Sequence, residues 1–273
     1  MTGPRLLAAT GPLLLSPLDW VMDVVAEAGY SGVEVLLAHN PDTRNPAKIA
    51  RYASDSGLDV PVVHGPYMLV LRNVLSASYV EKSRRALELA AEMGASTMVA
   101  HAPFRWERKA REWLAEEADG EAAELGSRLA MENLYPVVGQ SFSSAVTPAD
   151  LSAFTHVVFD TSHFAVAGVD LFEAWEALAD RTVHLHLSDN LGNGRDSHAP
   201  LGTGVLPLEA FLGHVGASGW SGTVTLEMDC RASLDTRESL VAFLAQERVK
   251  AEAMLAGGSS VPRREIEAIT AAE

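Results

Sequence analysis

Short apolar runs, many of them β-branched, alternate along this chain with longer segments whose apolar positions recur at helical spacing. The runs predict strands over residues 6–10, 32–37, 59–64, 96–101, 129–133, 156–160, 182–187 and 222–227. Amphipathic helices are predicted over 18–28, 47–56, 80–93, 171–179 and 208–217, with a last helix over 237–255. Gly29, Gly57, Gly94 and Gly219 each fall between a helical pattern and the next strand, where a helix C-cap is expected. Pro207 suits the first turn of the helix that follows it. Eight strand–helix units without a linker predict an α/β chain folded as a single (β/α)8 TIM barrel over residues 1–256, with a flexible tail over 257–273. A doubly wound open sheet is the runner-up, but no G-x-G-x-x-G follows the first strand.

Composition narrows the picture. The length of 273 residues suits one large barrel, and 48% hydrophobic residues supply a sizeable core. A net charge of −15 argues against a broad cationic surface for nucleic acid, although a local basic loop or bound cations could still handle phosphates. The sole cysteine, Cys230, rules out an intramolecular disulfide and fits a reducing compartment. The opening MTGPRLLAATGPLLLSPLDW is broken by Gly and Pro, so it lacks the apolar core of a signal peptide. No run reaches membrane-spanning length. The expectation is a soluble cytoplasmic protein, and a homodimer is the symmetric assembly open to it.

Candidate chemistry gathers at the predicted strand ends, where barrel enzymes carry their active sites. Strand two, GVEVLL, contains Glu34; strand three ends VVHGPY with His64 and Tyr67; strand four ends MVAHAP with His101. AMENLY brings Glu132, VVFDTSH brings Asp160 and His163, and VTLEMD brings Glu227. Strand seven opens the stretch VHLHLSDNLGNGRDSHAPLGTG, which holds His186 and, in its loop, Asp196 and His198. His184 points the same way as His186 but one layer deeper, and reads as a satisfied interior histidine. His39, His156 and His214 fall in a loop, at a strand start and on a helix, and get no functional role. The cluster RWERKAREWLAEE at 105–117 reads as a solvated helix with i,i+4 pairs.

Carboxylates and imidazoles converging on one pole need compensation, and a bound divalent cation is the simplest form of it. Zn²⁺ and Mn²⁺ lead, with Co²⁺, Fe²⁺ or Mg²⁺ as alternatives; one cysteine excludes a multi-Cys zinc site.

From strand one to strand eight this pattern resembles the xylose isomerase-like TIM-barrel superfamily, which holds sugar and sugar-phosphate isomerases and epimerases as well as endonuclease IV-like nucleases. The resemblance rests on Glu132 in MENLY, Asp160 in FDTSH, His186 in HLHLSD and Glu227 in LEMD. The D-x-x-H of strand six and the G-x-G at Gly202 and Gly204 also match. The four ordered residues are the implied core metal ligands. For an isomerase or epimerase, the resemblance implies one metal chelating a hydroxy-ketone sugar or polyol. Glu132 and Glu227 then move a proton between neighbouring carbons through an enediolate, with His163 assisting. Glu34, His64, Tyr67 and His101 would contact the substrate. For an abasic-site nuclease it implies three zincs, with His64, His101, His163, Asp196 and His198 as further ligands and DNA as partner. ENLYPVVGQ and LLAHNPDT depart from the nuclease pattern, so the small polyol or sugar is preferred over DNA. A barrel that binds metal or ligand without catalysis is the third reading.

Overall fold

The computed structural model describes residues 3–68, 70–137 and 139–257. Eight parallel strands close into a barrel in chain order. They are β1 (Arg5–Ala9), β2 (Gly32–Leu36), β3 (Asp59–His64), β4 (Thr97–His101), β5 (Arg128–Glu132), β6 (Val157–Asp160), β7 (Thr182–Leu187) and β8 (Thr223–Leu226). The α-helices are α1 (Leu18–Glu27), α2 (Pro46–Ser56), α3 (Tyr79–Glu92), α4 (Arg108–Glu116), α5 (Ala118–Glu124), α6 (Pro148–Leu151), α7 (Thr161–Ala167), α8 (Leu171–Leu178), α9 (Leu208–Ala217) and α10 (Arg237–Leu255). Among the described residues, no helix is long and apolar enough to cross a membrane. From residue 258 onward, the expected tail lies outside the described residues.

The period-two pleat of each strand sorts its side chains between two cores. Outward residues such as Val63, Met98, Met131, Phe159, Leu185 and Val224 pack in one cluster with Val24, Leu87, Trp175 and Phe211 of the surrounding helices. Inward residues Leu7, Val62, Val99, Ala130 and Val158 form a separate plug inside the barrel. Two positions further along four of these strands stand His64, His101, Glu132 and Asp160. The same step on β7 leads from His184 to His186, and on β8 from Thr225 to Glu227. Four of the five strands that fill the plug therefore raise a polar group above it at the C-terminal mouth, and β1 places Ala9 there.

The solvated helix expected over 105–117 is shorter. It begins at Arg108 and keeps its i,i+4 pair, Arg108 to Glu112 at 3.1 Å, but it buries Ala110 and Trp113 against its neighbours. Trp106 stays outside it, in the loop that leaves β4. Amphipathic packing, with Trp113 edge-on to Tyr79 at 6.4 Å, overrides the high local charge.

Candidate active site

Glu132, Asp160, His186 and Glu227 meet at the barrel mouth, each offering a ligand atom within 4.8 Å of the other three. His186 Nδ1 donates to Glu132 Oε1 at 2.9 Å, and lies 3.4 Å from Glu227 Oε2 and 3.7 Å from Asp160 Oδ2. Asp160 divides its carboxylate between two tasks. Its Oδ1 accepts from the His163 backbone N–H at 2.8 Å, capping α7, while Oδ2 is buried without a hydrogen-bond partner. A buried carboxylate oxygen lacking a donor is costly unless a cation completes it. The orphaned atom and its mixed oxygen and nitrogen neighbours fit a divalent metal of the Zn, Mn, Fe or Co type. Burial opposes charge on Glu132, yet His186 and His101 hold its carboxyl well below the usual range, so it is ionised.

Asn133, which drew no attention in the sequence, locks the ends of β5 and β6 together. Its Nδ2 donates to Asp160 O at 3.0 Å and its Oδ1 accepts from Asp160 N at 2.7 Å.

A second convergence flanks the first. His163 Nδ1 donates to Asn133 O at 2.8 Å, and His198 Nδ1 donates to Glu227 O at 2.9 Å. Both rings thereby turn Nε2 toward Asp196 Oδ2, at 3.2 and 2.8 Å, while Ser162 Oγ donates to Asp196 Oδ1 at 2.7 Å. Ring nitrogens fixed by backbone carbonyls are how proteins orient metal-binding histidines. Burial would lower the His198 pKa, but the hydrogen bond and charge of Asp196 push it up to about 9. Burial likewise opposes charge on His163, and Asp160 and Asp196 raise it well above its ordinary value.

The loop carrying Asp196 and His198 is held by a residue the sequence did not single out. Buried Asp189 accepts from the backbone N–H groups of Asn190, Gly202, Gly204 and Leu206 at 2.8 to 3.1 Å. A Cβ at Gly204 would collide with the Asn190 carbonyl and the Asp189 carboxylate, which explains the second glycine of the G-x-G.

Two residues read as substrate contacts lie below the open site. Glu34 and His64 are each 2% exposed, and neither lines the cavity above the cluster. Glu34 pairs in register with Val62, one interior layer beneath His64, so it faces the floor and not the opening. There it accepts from His184 Nε2 at 2.8 Å and His186 Nε2 at 3.1 Å. His184 completes its own bonding with Thr223 Oγ1 at 2.6 Å, the satisfied interior histidine expected. His64 and His101 place Nε2 at 3.2 and 3.0 Å from Glu132 Oε2. Tyr67 and His101 do line the cavity, stacked with ring centroids 5.5 Å apart, and the Tyr67 hydroxyl donates to Glu227 Oε1 at 2.8 Å. Burial, reinforced by Glu227, raises the Tyr67 pKa well above its ordinary value, so it stays a donor.

The cavity above these groups measures about 830 Å³, and Glu132, His163, Asp196, His198 and Glu227 line one side of it. Apolar side chains, Phe104, Trp106 and Phe142 among them, line much of the rest. No residue pattern marks these aromatics beforehand, because Trp106 sits in a charged run and the other two in unpatterned loops.

A closed (β/α)8 barrel with a cluster of carboxylates and imidazoles at the strand C-termini defines the class of this protein. The chain belongs to the xylose isomerase-like TIM-barrel family, whose model matches residues 22–247. An uncharacterised protein of Mycobacterium tuberculosis is 28% identical over 239 residues, 78% of this chain and 85% of that protein. A D-tagatose 3-epimerase-like protein shares the fold with a TM-score of 0.71 and 19% identity, covering 92% of this chain and 97% of the other. A family 2 AP endonuclease from Brucella melitensis superposes with a TM-score of 0.67 and 21% identity, over 84% and 94% of the two chains. The IOLI protein, described with a bound zinc atom, superposes with a TM-score of 0.72 and 16% identity, over 94% and 100%. At these identities the structural likeness is one of fold.

Proposed function

We propose that this protein is a divalent-metal-dependent isomerase or epimerase of a small hydroxy-ketone of the sugar or polyol class. The observation that carries the reading is the placement of two carboxylates, Glu132 and Glu227, beside Asp160 and His186 on the floor of one cavity. Glu132, Asp160, His186 and Glu227 would hold the metal, which when bound supplies Lewis-acid polarisation of a carbonyl and its neighbouring hydroxyl. The chain's own groups handle the proton. Glu227, held by the Tyr67 hydroxyl, and Glu132 face the cavity as the pair that removes a proton from one carbon and returns one to its neighbour. The single cysteine suits the reducing cytoplasm as the place of work.

A multi-zinc phosphodiesterase is the second reading, favoured by the His163–Asp196–His198 convergence, which offers a further metal its ligands. The test is incubation of the Mn²⁺- or Zn²⁺-loaded protein with ketoses and polyols in D₂O, followed by NMR. Deuterium at a carbon beside the carbonyl, absent in Glu227→Gln, is the expected result. No exchange with any ketose, together with cleavage of abasic-site DNA, would overturn it in favour of the second reading.

A further inference from the structure

We propose that the natural substrate carries an apolar ring on its hydroxy-carbonyl portion and no phosphate, the ring seating against Phe104, Trp106 and Phe142. This rests on the isomerase reading and narrows it to ring-bearing, electroneutral substrates.

Trp106 is 64% exposed and Phe142 41% exposed, in a chain whose aromatic content is only 7%. Large apolar side chains left in water and clustered at one mouth mark a binding surface. These are also built into place. The Phe104 and Trp106 rings stack with centroids 4.8 Å apart and planes 13° from parallel, and Phe142 meets Trp106 edge-on at 6.1 Å. Beneath them the loops leaving β4 and β5 are joined by an antiparallel bridge between Phe104 and Ser143. Arg105 N donates to Phe142 O at 2.9 Å, Ser144 N to Pro103 O at 3.0 Å, and Arg105 Nε to Ser143 O at 2.9 Å. A wall held this way loses little freedom when a flat group stacks on it.

The wall and the reactive cluster share one cavity. His101 ends β4 just before Phe104, and Glu132 ends β5 just before the loop that carries Phe142. At about 830 Å³ the cavity lies high in the range of about 300–1,000 Å³ typical of pockets for drug-sized ligands. A second copy of the chain seated on the wall would stopper the cavity holding Glu132 and Glu227.

Charge speaks against a phosphate. Among the described residues, Arg231 is the one Lys or Arg lining the cavity, and Asp229 holds its Nε at 2.8 and 3.0 Å. Glu132, Asp196 and Glu227 face the same space. His163 and His198, the other cationic groups of the chain on this space, are both held by Asp196 at 3.2 and 2.8 Å, so a phosphate dianion there would meet carboxylates and cations already paired.

Hydroxamates, planar two-oxygen chelators shaped like an enediolate, test the assignment without knowledge of the sugar. Calorimetry of the Zn²⁺- or Mn²⁺-loaded full chain compares acetohydroxamate, a series of phenylalkyl hydroxamates and phosphoglycolohydroxamate. The best phenylalkyl member should bind about tenfold more tightly than acetohydroxamate, and the phosphorylated one no more tightly. Trp106→Ala and Phe142→Ala should each erase most of the ring's advantage. Equal affinity of ring-bearing and ring-free probes, an advantage that survives both variants, or tightest binding of the phosphate would overturn the proposal. Self-association weakened by Trp106→Ala, with no ring advantage, assigns the wall to a second copy and overturns it as well. Binding of no hydroxamate removes the metal-centred reading and this proposal together. A ring advantage without deuterium exchange in any ketose removes the isomerase reading alone.

Discussion

Glu34 on β2 accepts a hydrogen bond from His186 Nε2 on β7 at 3.1 Å, across the interior of the barrel. The contact fixes the ring so that Nδ1 faces Glu132, Asp160 and Glu227. Burial opposes charge on Glu34, but His186 and His184 hold its carboxyl well below the usual range. A carboxylate behind a metal-facing imidazole orients the ring and raises its basicity. Glu34→Gln should therefore weaken Zn²⁺ or Mn²⁺ binding by about 10- to 100-fold, because an amide cannot accept from both histidines without presenting them a donor. Competition against a calibrated chelator measures this; unchanged affinity would remove Glu34 from the site.

Glu132→Gln and Glu227→Gln should each lower deuterium exchange by about 10²–10⁴-fold, the usual weight of a positioned acid or base. Their stabilities should differ. Glu132 is approached by His64, His101 and His186, whereas the side-chain donor to Glu227 is Tyr67. Glu132→Gln should cost about 1–3 kcal/mol of folding stability and Glu227→Gln less. Exchange NMR with urea melts checks both, and near-normal exchange in either variant would refute that residue's part in proton transfer.

His198→Ala tests the second convergence. It removes one of three converging ligand atoms, leaving the Glu132–Asp160–His186–Glu227 group intact. Where the wild type holds more than one ion, elemental analysis of protein purified in parallel should show about one ion per chain fewer in the variant. Equal metal content in the two proteins would confine binding to the four-residue group.

Stability against pH should differ between chelated and metal-loaded protein. His198 has its pKa raised from 6.5 to about 9, so its contribution in the chelated protein is full below 6.5 and fades as pH rises to about 9. Asp196 is shifted the other way, burial being outweighed by His163 and His198. Its contribution is present at neutral pH and is lost only in acid. A metal needs the imidazoles deprotonated, so its affinity climbs over the interval where the proton-based stability declines. The Tm gap between loaded and EDTA-treated protein should widen from pH 6.5 to 9, and His198→Ala should flatten that trend. A gap constant with pH would contradict it.

The barrel was legible in the chain because strand alternation and helix periodicity are local properties, set by the pleat and the helical turn. The same locality exposed the mouth residues. An apolar inward position followed two residues later by His64, His101, Glu132 or Asp160 is a pattern within one strand. So is Asp160 three residues before His163, where one carboxylate oxygen caps the helix that carries the imidazole.

Other placements depended on distance in space. Glu34 and His186 lie 152 residues apart and meet only because closure of the sheet brings interior groups of β2 and β7 together. That closure places Glu34, expected as a substrate contact, beneath the cluster and against His184 and His186. Asp196 faces His163 because four backbone amides wrap the G-x-G loop around Asp189, a fold-back without periodicity. Trp106 reached the cavity because the bridge between Phe104 and Ser143 ties two loops that are distant in sequence. The sequence by itself determined the barrel and its polar rim, since each follows from spacing along a single element. The tertiary structure alone decided which rim residue supports another, how the second convergence forms and what the cavity wall is made of, since each depends on contacts between elements.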